Sequence, residues 1–77
     1  MRNEIRDLEK VLEVFTIAER REKEAYEFYK NAAEKVTGEA AKEVLLSLAD
    51  FEMQHLKMMQ INYEKTLKKI QELQQKK

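Results

Sequence analysis

Three side chains of this sequence are equipped for chemistry and stand where charge is least expected: Glu22, Glu52 and His55. In the N-terminal half, Leu8, Phe15, Glu22, Tyr29 and Val36 recur every seven residues. Val11, Ala18, Ala25 and Ala32 fill the positions between them, and Leu12 and Tyr26 widen the stripe. In the C-terminal half the corresponding stripe is Ala41, Leu45, Leu48, Glu52, His55 and Met59, with Ala49, Leu56, Tyr63, Val44, Phe51 and Met58 on its flanks. Glu22, Glu52 and His55 are the only ionisable interruptions of these two stripes. A carboxylate buried alone costs several kcal/mol unless it is protonated, paired or bound to a metal.

Each residue taken singly has an ordinary explanation. Glu-x-x-His is a frequent coincidence in a Glu-rich chain, a lone core His is usually satisfied by hydrogen bonds, and a seam Glu can reach back to solvent. Their placement is less ordinary. With the chain reversing near residues 37–38, all three lie about 22–26 Å from the turn at ~1.5 Å per residue, so they meet at one level. Glu52 and His55, three apart, leave the same helical face. Ala18 and Ala25, small residues beside Glu22, leave room between helices for ions and water.

Long helices must carry them. The chain has 77 residues, 39% of them charged, with no Pro and one Gly. Thr37-Gly38 is the only strong break. Gly38 suits the left-handed residue that closes a helix, and Glu39 falls in the first turn of the next, where its charge favours the dipole. These signals predict helix 1 at about 4–36, a turn at 37–38 and helix 2 at about 39–74, one all-α domain over residues 1–77. So short a loop makes the helices an antiparallel hairpin. Beyond Asn62 the stripe turns polar, although Leu67, Ile70 and Leu73 continue it, and Lys65, Lys68, Lys69, Lys76 and Lys77 form a basic end that complements the helix dipole.

Composition excludes much else. Without cysteine there are no disulfides, thiolate zinc sites or iron–sulfur clusters. Fifteen basic residues balance fifteen acidic ones, which argues against a nucleic-acid partner. No apolar run approaches ~18 residues and no secretory h-region opens the chain, so neither membrane nor secretion is expected and the default location is cytoplasmic.

A hairpin this small offers three ligands and cannot cover its own apolar faces. A two-fold homodimer, or a higher homo-oligomer built on it, remedies both deficits. Four helices would then bring together two single Glu residues and two Glu-x-x-His pairs, the ligand set of di-iron and di-manganese carboxylate bundles. Four carboxylates balance two divalent cations. The donors suit two Fe ions per dimer, with Mn or Zn as alternatives.

At this point the chain resembles the rubrerythrin and ferritin-like superfamily. Glu22-Lys-Glu-Ala-Tyr-Glu-Phe-Tyr29 resembles its E-x6-Y helix, and Leu48-Ala-Asp-Phe-Glu52-Met-Gln-His55 its L-A-x-x-E-x-x-H helix, over roughly residues 15–60. The resemblance implies a ferritin-like four-helix bundle, with Glu22 and Glu52 as iron ligands, Glu52 as a bridge and His55 as a terminal ligand. Tyr29, and Tyr26 beside it, would order the carboxylates through hydrogen bonds. In size the chain is similar to encapsulated ferritins, two-helix chains that build a ferroxidase centre across a dimer interface inside encapsulin shells. It departs from rubrerythrin in having one hairpin and no Cys-rich module, and no cargo-loading peptide is evident in KTLKKIQELQQKK.

The leading expectation is thus a ferroxidase, an oxidoreductase that oxidises Fe(II) at a dimer-interface di-iron centre. The alternative is a metal-free hairpin that self-associates or docks a partner, with Glu22 and His55 as a polar registry pair. Peroxide reduction would need an electron donor from outside the chain.

Overall fold

The computed structural model describes residues 2–75, and these form two helices, α1 (Arg2–Lys35) and α2 (Glu39–Gln75), packed side by side along nearly their whole length. The described residues hold no strand, so the expected all-α antiparallel hairpin is the fold. It is a rod of 61 × 15 × 11 Å with a radius of gyration of 17.5 Å, against about 11.5 Å for a compact domain of this length.

The turn is made differently from the expectation. Gly38 has no positive φ, so it is not a left-handed helix stop. Its carbonyl instead accepts the Lys42 backbone N–H at 3.0 Å, which makes it the residue that opens α2. Glycine is favoured at both kinds of helix end, and periodicity alone does not separate them. A Cβ built on Gly38 meets nothing within 4 Å. Gly38→Ala is therefore expected to change stability by less than about 1 kcal/mol, because unfolded-state entropy and capping preference act in opposite directions. Thermal denaturation followed by circular dichroism checks this; a larger loss would show that position 38 needs glycine's backbone freedom.

Between the helices runs a regular inner stripe. On α1 it comprises Ile5, Leu8, Leu12, Phe15, Glu19, Glu22, Tyr26, Tyr29 and Ala33, and Val36 just past the helix end continues it, all buried or half-buried. On α2 the buried residues are Ala49, Leu56, Ile70 and Leu73, with Leu45, Glu52, Met59, Tyr63 and Thr66 half-buried among them. Both series alternate steps of three and four, the spacing that keeps a seam facing a neighbouring helix. Thr66 fits this stripe because its Oγ1 donates to the Asn62 carbonyl at 2.8 Å.

This inner stripe is rotated from the one read off the sequence. Ala49 and Leu56, expected on the flank of α2, face α1, while Ala41, Leu48 and His55, expected in the seam, are exposed. Glu19, one turn before Glu22, is a further charge in the inner stripe; Lys23 pairs with it at 3.3 Å from the position four residues on. Glu19 also keeps 31% of its side chain in solvent, so it holds its place without a metal. Among the described residues no basic side chain occupies the last turn of α2; Lys76 and Lys77, expected to complement its dipole, lie outside the described residues.

Candidate metal centre

Glu22 reaches α2 from the middle of α1, and Glu52 and His55 meet it from consecutive turns of α2. One ligand atom from each lies within 4.8 Å of the others, and among the described residues this is the only such group of three or more potential ligands. His55 Nδ1 stands 3.7 Å from Glu22 Oε2. The Glu22 side chain is 18% exposed and that of His55 47% exposed, so the group has a closed side and an open side. Phe51 lies against the imidazole, with ring centroids 4.9 Å apart. Leu56, buried beside His55 in sequence, fixes this stretch of α2 against α1.

The electrostatics mark Glu22 as the strained member. Its Oε2 is enclosed and has no hydrogen-bond partner. The pKa of Glu22 is raised above 4.5, first by the hydrogen-bonding approach of the Glu52 carboxyl, which favours a proton between them, then by burial and the Glu52 charge; His55 opposes the rise. Between 4.5 and the raised value the folded chain therefore holds more of this proton than the unfolded chain does. The metal-free protein should lose stability as pH rises from 4.5 through the raised value. Subtracting the stability–pH curve of Glu22→Gln from that of the wild type should isolate this fall, and curves of identical shape would contradict it.

Two carboxylates and an imidazole around an enclosed, unpartnered oxygen fit a hard or borderline divalent cation such as Fe(II), Mn(II) or Zn(II). Ligands opposite one another on a single ion are about 4.2 Å apart, close to the 4.8 Å within which this group lies. A cation there would remove both the orphaned oxygen and the repulsion between the carboxylates.

The two tyrosines continue the inner stripe one and two turns beyond Glu22. Tyr26 carries the Lys30 ammonium over its ring at 5.6 Å, and Tyr29 packs edge-on to Phe28 with centroids 5.6 Å apart. The side-chain hydrogen bonds among the described residues come from Thr16 and Thr66, so within one hairpin neither phenol donates to Glu22 or Glu52.

A helical hairpin presenting Glu from one helix and Glu-x-x-His from the other offers half of the ligand set of carboxylate-bundle metal sites. The family described as Rubrerythrin matches residues 1–72. The chain belongs to the rubrerythrin family. No curated protein and no solved structure gives a match.

Proposed function

We propose that the protein binds iron through Glu22, Glu52 and His55, and that two copies together form a di-iron centre at which Fe(II) is oxidised by O₂ or peroxide. The observation that carries this reading is the enclosed, unpartnered Glu22 oxygen, 3.7 Å from His55 and beside the Glu52 carboxyl. Membership of the rubrerythrin family supports it.

In this reading the iron supplies the electrons, one from each Fe(II). The chain's own side chains hold charge and position. Metal and proton compete for the Glu22 carboxyl, so metal affinity rises with pH through the range in which that carboxyl ionises. Glu52 carries the second negative charge, and His55 offers a neutral nitrogen at the open side. Four carboxylates from two copies balance two divalent ions. Tyr29 and Tyr26 would order the carboxylates only through the packing of a second hairpin.

The test is Fe(II) oxidation followed optically, with bound iron measured in parallel, for wild type, Glu22→Ala and His55→Ala. Wild type should oxidise and retain iron, and each variant should lose both. Equal retention in all three would end the proposal. One observation favours a second reading: Glu22 and His55 are close enough to pair as ions when His55 is protonated, as a metal-free registry element would require. Thermal midpoints separate the two. Saturating Mn(II) under argon should raise the midpoint by linkage if the site binds metal, and an unchanged midpoint would favour the metal-free module.

A further inference from the structure

Of the three candidate ligands His55 alone is exposed, with 47% of its side chain in solvent. The outer torsion of an imidazole is broad and roughly two-fold, so a helix surface by itself does not decide which way the ring faces. Half a turn of the ring exchanges Nδ1 for a carbon at the position facing Glu22. The hairpin holds the ring the productive way, with Nδ1 3.7 Å from Glu22 Oε2. Metal-binding histidines are ordinarily kept in place by a hydrogen bond from the other ring nitrogen to a carboxylate, a carbonyl or water. Among the described residues the side-chain hydrogen bonds come from Thr16 and Thr66, so His55 has no such anchor on a protein group within the hairpin.

Phe51 takes the place of that anchor. It lies four residues before His55, and helical side chains lean toward the N-terminus, so the imidazole falls back over the phenyl ring. The ring centroids are 4.9 Å apart and the planes are tilted by 56°, a favourable separation for an aromatic pair. With Phe51 against the ring and Glu22 facing Nδ1, the imidazole is held from two directions.

Core packing does not account for Phe51. It is 57% exposed, whereas Phe15 is half-buried in the inner stripe. Phe28, the remaining phenylalanine, is 69% exposed, and its ring pairs with Tyr29 rather than with a candidate ligand.

We infer that Phe51 is a positioning residue for metal binding: its ring holds the His55 imidazole with Nδ1 turned toward Glu22. The effect on affinity rests on the proposed metal-binding function; the orientation of the ring is a property of the metal-free hairpin. An aromatic contact is weaker than a charged partner behind a ligand. Its loss should therefore cost about 10-fold in affinity, the lower end of the range for groups that orient metal ligands.

The test is anaerobic titration of the full chain with Co(II), whose absorption bands report the ligands, for wild type, Phe51→Leu, Phe51→Tyr and Phe28→Leu. Nuclear Overhauser contacts of the His55 ring are measured on the same samples without metal, and sedimentation velocity compares their association. Phe51→Leu keeps apolar bulk at an exposed position but loses the ring. It should bind Co(II) about 10-fold more weakly, with altered absorption bands and a His55 ring no longer held in one orientation. Phe51→Tyr keeps the ring and should restore wild-type binding. Phe28→Leu removes as much exposed aromatic surface and should change neither the affinity nor the His55 contacts. Where wild type binds Co(II), equal affinity in Phe51→Leu would overturn the inference; so would an unmoved His55 ring in that variant. If no sample binds Co(II) while the ring is held in wild type and freed in Phe51→Leu, the positioning stands and the metal-binding reading falls.

Discussion

Replacing Glu22 by alanine is expected to lower metal affinity by more than about 100-fold, beyond the 10–100-fold lost when a group behind a metal ligand is removed. It removes one ligand from each copy and, in a two-fold centre, half of the unpaired carboxylates at once. The same substitution should leave metal-free stability within about 1 kcal/mol of the wild type. Alanine loses the packing of the Glu stem, but it also removes an enclosed oxygen that has no partner and a carboxyl that repels Glu52. Equilibrium denaturation in the presence of chelator, paired with metal titration, gives both numbers. A large loss of metal-free stability would make Glu22 a structural residue. Unchanged metal affinity would remove it from the site.

Leu56→Ala should have the largest effect on the fold. Leu56 is 7% exposed and follows His55 directly, so its packing against α1 holds the segment that carries Glu52 and His55. Truncating a buried leucine typically costs about 2–5 kcal/mol. In a domain this small that lowers the thermal midpoint by at least about 10 °C. Saturating metal should recover part of the loss, because binding to the folded state is linked to folding. Ser47→Ala on the exposed face is the comparison and should stay within about 0.5 kcal/mol. Similar midpoints for the two variants would mean that the inner stripe does not hold the hairpin together.

The hairpin was legible because Gly38 is the sole break between two stretches whose apolar residues keep one period. What glycine does there was not, since a helix stop and a helix start favour the same residue, and only the φ of Gly38 and the Lys42–Gly38 hydrogen bond distinguish them. Periodicity gave the width of each apolar stripe without saying which edge packs inside one chain. Ala49 and Leu56 took the inner edge, leaving Leu48, Phe51 and His55 outside. The three candidate ligands could be found because they interrupt apolar stripes and none has a Lys or Arg three or four residues away. Glu19 lay off the stripe because the seven-residue spacing places Ala18 in the seam, and the inner stripe is rotated from that position. The spacing of Tyr26 and Tyr29 marks a helix face, and a hydrogen bond depends on neighbours a single hairpin does not supply.

The central claim is that Glu22, Glu52 and His55 are a metal site completed by a second copy. Native mass spectrometry of the full chain, after anaerobic titration with Fe(II), addresses it most directly. The account predicts a dimer that takes up two iron ions and stops there, while Glu22→Ala takes up none. A dimer or monomer whose mass stays that of the bare chain at saturating Fe(II) would contradict it.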